Sequence, residues 1–144
     1  MNKMKKGFTL IELLIVLAVI SALLSVATPL ALRSVAKAKA TQVAMNLRAL
    51  LTSIEQAILL YPDEFNVQEL DGQDIVLKLY EKGFINTNLS VKGYKIDIDK
   101  PNNKFVIKYT GKDIDLTLVK SSYPAVKTGV ENGEEYVYVE VNIP

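Results

Sequence analysis

Few side chains in this 144-residue chain are equipped for chemistry, and one of them stands among apolar neighbours. There is no cysteine and no histidine. Zinc sites built on those residues, disulfides, and Cys–His or Ser–His–Asp nucleophiles are therefore excluded. Carboxylate or Ser–Lys chemistry is what remains. The carboxylate that draws attention is Glu12, which opens an otherwise apolar run. A carboxylate near the centre of a membrane helix costs about 2.5–3.5 kcal/mol, and less near its end. Glu12 is near the end, so the cost is tolerable, yet a neutral residue would cost less. An ionisable residue in such a place is a functional candidate that needs a named partner.

The element that must position Glu12 is a helix. Leu13 to Leu32 are uncharged and mostly Leu, Ile, Val and Ala. About 20 helical residues, at about 1.5 Å each, span a hydrocarbon core of about 30 Å. Lys3, Lys5 and Lys6 precede the run and Arg33 follows it. The positive-inside rule places the N-terminus in the cytoplasm and the chain after Arg33 outside. A cleaved signal peptide is one reading, with A-x-A pairs in "AKAKA" (Ala36 to Ala40), but the apolar run exceeds the usual length. A plain signal anchor is another. Neither accounts for Glu12.

The stretch "KKGFTLIELL" (Lys5 to Leu14) resembles the start of a type IV prepilin, a family that includes the type II secretion pseudopilins. The resemblance covers about the first 30 residues. It implies a leader, residues 1–7, cut between Gly7 and Phe8 by a prepilin peptidase that then N-methylates Phe8. Glu12 becomes the fifth mature residue, where the family carries its glutamate, and Pro29 falls where these helices usually carry a proline. Cleavage removes Lys3, Lys5 and Lys6 and leaves a cationic amine on Phe8. In the family, the glutamate of an incoming subunit pairs with that amine on its neighbour. Such a pair fixes axial register while apolar side chains supply packing area.

The resemblance implies a structural subunit of a type IV pilus, not an enzyme, with no cofactor. Its partners would be copies of itself, other pilins, the peptidase/N-methyltransferase, the membrane and the assembly platform. It would cross the cytoplasmic membrane once and end in an extracellular pilus or a periplasmic pseudopilus. The alternatives are a pseudopilin of a type II secretion or DNA-uptake system and, more distantly, an anchored binding domain that never polymerises. The disulfide-closed loop of many Gram-negative pilins is absent.

Periodicity sets the rest. Val43, Leu47, Leu50, Ile54, Ala57 and Tyr61, widened by Leu51 and Ile58, form one helical stripe. Arg33, Lys37, Lys39, Arg48 and Glu55 fall on other faces. One helix is expected from about Thr9 to Tyr61, apolar all round over 8–32, kinked at Pro29 and ended by Pro62. A head over 33–144 follows, with an amphipathic half over 33–61 and a connecting region over 62–93. "GQDIVLKLYEKGF" reads as a short helix with Ile75, Val76, Leu79 and Tyr80 inward and Gly83 as its stop.

A β-sheet over 94–144 completes the head. "YKIDID", "KFVIKY", "IDLTLV" and "EEYVYVEVNI" alternate as strands, with turns at 101–103, 110–113 and 132–133. Lys120 to Gly133 reads as a polar loop. The expected class is α+β: a long helix packed on a roughly four-stranded antiparallel sheet. "DIDKPNN" (Asp97 to Asn103) resembles a calcium loop weakly, but Pro101 and Asn102 occupy the positions that need a ligand and a glycine. No metal site is assigned. A net charge of +1 and dispersed lysines point to no nucleic-acid site.

Overall fold

The structure is a computed structural model that describes Met4 and residues 6–144; the leader lysines Lys3 and Lys5 lie outside the described residues. It divides into two compact units, one ending at Ala36 and the other running Lys37–Pro144. Helix α1, Leu10–Leu60, is 51 residues long and passes unbroken through Pro29. In the first unit its side chains are exposed all round, and this is the one described helix long and apolar enough to cross a membrane.

The second unit is an α+β head. Helices α2 (Val67–Leu70), α3 (Ile75–Glu81) and α4 (Leu116–Ser122) accompany strands β1 (Tyr94–Asp99), β2 (Lys104–Tyr109), β3 (Lys127–Glu131) and β4 (Glu134–Asn142). The sheet is antiparallel, in the order β1-β2-β4-β3. Its buried face carries Tyr94, Ile96, Phe105, Ile107, Val137 and Val139, joined in one core with Val43, Leu47, Leu50, Ile54, Ala57 and Ile58 of α1. Alternation in the strands and 3–4 spacing in the helix bring these residues to one layer. Leu51 is only partly buried, and Tyr61, one residue past the helix, keeps 45% of its surface exposed.

The short helix α3 forms as its ends dictate. Asp74 caps it by accepting from Leu77 N at 3.0 Å. Gly83 stops it in the left-handed region at φ +79°, with Phe84 N bonding Leu79 O and Gly83 N bonding Tyr80 O. Ile75, Val76 and Leu79 are buried, but Tyr80 is 42% exposed, so it faces outward rather than inward.

Two strand assignments change. "IDLTLV" is not a strand: the connection Thr110–Asp115 leads into α4. Asp115 Oδ1 accepts from Thr117 N and Leu118 N, at 2.9 and 3.3 Å, and starts a helix in place of an alternating strand. Three apolar residues at alternate positions are too few to outweigh a capped turn. The fourth strand, β3, instead comes from the segment read as a loop, and β4 inserts between it and β2. No residue of β3 is fully buried, so it shows no apolar alternation. Asn132 and Gly133, at φ +54° and +81°, make the two-residue turn that folds it onto β4.

The outer sheet face is held by ions. Lys108 of β2 is nearly buried, 2.6 Å from Asp97 of β1 and 2.8 Å from Glu131 of β3. Burial pulls the Lys108 amine down, but hydrogen bonds to Asp97 and Glu131 leave it above its ordinary value. The Lys108 hydrogen bond holds Glu131 below the ordinary carboxylate value. Glu140 accepts from Lys104 at 3.2 Å and Lys127 at 2.8 Å.

Two outcomes follow. Leu47 is fully buried, and Leu47→Ala is expected to cost about 2–5 kcal/mol in denaturant unfolding of the chain in detergent. A carboxylate with a lowered folded pKa stabilises above its unfolded value and stops doing so as pH falls through its folded value. The stability gap between the wild type and Glu131→Gln should therefore be full at neutral pH and close as pH drops below 4.5. A gap that persists undiminished in acid would remove Glu131 from the clamp.

Candidate assembly site at the start of the long helix

Residues Lys6 to Thr9 precede α1 without regular structure. Gly7 has open space where a Cβ would stand, and Phe8 is 84% exposed. Among the described residues nothing requires a glycine at 7.

Thr9 and Glu12 close the helix end between them. Thr9 N donates to Glu12 Oε2 at 2.9 Å, and Glu12 N donates to Thr9 Oγ1 at 3.3 Å. Leu13 N bonds Thr9 O at 3.2 Å. This is a capping box, in which two of the unpaired amides of a helix start are satisfied reciprocally. The positive end of the helix also favours a carboxylate there.

Glu12 thus has a partner within its own chain that the apolar-run argument did not supply. Thr9 is the residue that argument missed, although the Thr-x-x-Glu spacing of "TLIE" carries the signal. Only one carboxylate oxygen is used: among the described residues Glu12 Oε1 has no hydrogen bond. The site therefore presents a fixed, exposed carboxylate with one open oxygen, four residues after Phe8 and at the rim of an apolar helix.

Further along, Pro29 lacks the amide that would bond Ser25 O, and Ser25 Oγ donates to Ala22 O at 2.7 Å. The helix continues, so any weakness at Pro29 is a missing bond rather than a break. In the head, the two carboxylates of "DID" are engaged individually: Asp97 pairs with Lys108, and Asp99 accepts from Asn102 N and Asn102 Nδ2. Their strand positions hold them apart from one another.

Residues 2–28 match the family model described as the prokaryotic N-terminal methylation motif. Two fimbrial proteins of Pseudomonas aeruginosa are 33% and 32% identical to the chain over 134 residues. Each alignment covers 89% of this chain and 77% of the relative. No solved structure matches the chain significantly. The similarity to the fimbrial proteins extends through the head, well beyond the N-terminal motif. Together with the exposed apolar helix, its capped glutamate and the helix-on-sheet head, it places this chain in the type IV pilin and pseudopilin family.

Proposed function

We infer that the chain is a structural subunit of a type IV pilus. It is inserted as a prepilin with its N-terminus in the cytoplasm, cut between Gly7 and Phe8, and methylated on the Phe8 amine. It then polymerises through the apolar half of α1. The observation that carries this reading is the half-engaged carboxylate of Glu12. Thr9 holds one oxygen, and the other is open toward an incoming charge. Cleavage after Gly7 leaves the capping box intact, because both of its residues lie beyond the cut. The new amine and the carboxylate then occupy the same end of an apolar rod. A charge there is costly in lipid unless it is paired.

Pairing with a neighbouring copy sets register, because no other charge lies between Leu13 and Leu32. That nothing among the described residues needs a glycine at 7 supports an external reader of that residue. The leader lysines Lys3, Lys5 and Lys6 serve insertion and leave with the leader. Pro29 supplies a missing hydrogen bond where the helix can adjust as subunits pack.

Mass spectrometry of the N-terminal peptide tests processing. A chain that begins at N-methyl-Phe8 and is abundant in sheared surface fibres is expected. The same terminus confined to membranes would favour a pseudopilin, and a chain that begins at Met1 would end the reading. Two substitutions separate the roles of the capping box. Glu12→Ala should leave insertion and cleavage unchanged and lower fibre yield by at least about tenfold, the loss expected for about 1.4 kcal/mol of pairing. Thr9→Val should cost about 1 kcal/mol of helix-end stability, seen as faster amide exchange at Leu10 to Glu12, yet still assemble. Fibre yields for Glu12→Ala equal to wild type would remove the register role.

A further inference from the structure

Asn132 is the one asparagine of the chain that is followed by glycine. Both residues are exposed, in the turn between β3 and β4 that the Glu131–Glu134 pairing closes. A main-chain amide can attack the side chain of a preceding asparagine where nothing crowds that amide. Gly133 has no side chain, and the space where a Cβ would stand is open. The reaction needs only water. The Gly133 nitrogen bonds to Asn132 Cγ and gives its proton to the departing Nδ2, so that ammonia leaves and a cyclic imide remains. Water then opens the imide. Opening at Cγ gives aspartate, and opening at the main-chain carbonyl gives isoaspartate, with an extra methylene in the main chain.

The folded turn opposes the first step. Asn132 sits at φ +54°, in the left-handed region that asparagine tolerates. There the Gly133 nitrogen is turned away from Cγ, so attack requires the turn to open. Little resists that opening. Strand β3 has no fully buried residue. It is held by its pairing with β4, by Glu131 on Lys108 at 2.8 Å and by Lys127 on Glu140 at 2.8 Å. Edge elements fastened by exposed groups open more readily than a packed core.

We propose that Asn132 is a site of spontaneous covalent modification gated by β3: the imide forms when β3 lifts from β4, and its product hinders the return. Isoaspartate lengthens a loop that fits two residues. The new carboxylate stands between Glu131 and Glu134. With β3 displaced, Lys108 loses one of its two carboxylates and β4 becomes an edge of the sheet. A subunit whose edge has opened thus keeps a covalent record of it. This holds whether or not the chain polymerises.

The test incubates the full chain at mildly alkaline pH, folded in detergent and unfolded in guanidinium chloride, and follows each asparagine by peptide mass spectrometry. In the unfolded chain Asn132 is expected to convert at least about tenfold faster than any other asparagine, and in the folded chain at least about tenfold slower than in the unfolded one. No conversion at Asn132 in the unfolded chain would overturn the site, and equal rates in the two samples would overturn the gate. Lys108→Gln unties Glu131 from β2 at a position remote from the turn in sequence. It should raise the folded-state rate at Asn132 at least about threefold and leave the unfolded-state rate unchanged. An unchanged folded-state rate, in a variant that still unfolds cooperatively, would also overturn the gate. Should that variant not fold, Lys127→Ala, which removes the pair with Glu140 at the other end of β3, gives the same comparison with the same two outcomes.

Discussion

The constraint on which this chain depends is an apolar surface that it cannot cover by itself. From Leu10 to Leu32 helix α1 exposes Leu, Ile and Val on every side. Burying one such side chain is worth about 1.5–3 kcal/mol, so the stretch as a whole amounts to tens of kcal/mol in water. The segment is therefore always surrounded, by lipid or by other protein. A subunit that moves from one surrounding to the other loses little hydrophobic free energy, because lipid tails and packed side chains are comparably apolar. Polar groups then do the discriminating.

The same helix serves a second and different core. From Ala40 onward its buried apolar residues occupy one stripe, and the sheet covers that stripe. Packing on the sheet makes this half of α1 an internal element of the head, where every lost methylene is felt. The head has further fastenings that do not involve α1. Lys108 joins β1, β2 and β3 through Asp97 and Glu131, and Glu140 joins Lys104 and Lys127. The edge strand β3 has no buried residue, so these ions and the Asn132–Gly133 turn keep it in register. Lys127 and Glu131 at its ends also discourage pairing with a foreign strand.

Long-period and strongly amphipathic features were legible from residues alone. Leu47, Leu50 and Ile54 named the buried stripe, the bounds of α1 lay within a residue of the expected ones, and Tyr94 to Asp99 alternated openly. Legibility failed where the deciding interaction was local or was made by a neighbour. Asp115 turned "IDLTLV" into helix through two hydrogen bonds that an apolar count does not register. Strand β3 owes its existence to β4 and not to its own pattern. The capping box of Thr9 and Glu12 lies inside an apolar run, where hydrophobic periodicity carries no trace of it and only the Thr-x-x-Glu spacing does. The open oxygen of Glu12 was beyond any sequence reading, since it is a matter of geometry.

That geometry removes an apparent conflict between two uses of one carboxylate. A carboxylate has about four lone-pair sites on two oxygens. The Thr9 amide takes one site on Oε2, and the helix end adds a favourable potential. Capping therefore leaves the charge in place, fixes the side chain and makes its position reproducible from copy to copy. A freely rotating glutamate would pay rotamer entropy each time it met a partner. A capped one has paid that cost during folding, so in the proposed pairing an energy of modest size would suffice to choose one axial position over its neighbours. No second charge along the next twenty residues offers a competing register, so under the proposed pairing a single preorganised carboxylate would be enough to align an otherwise featureless rod.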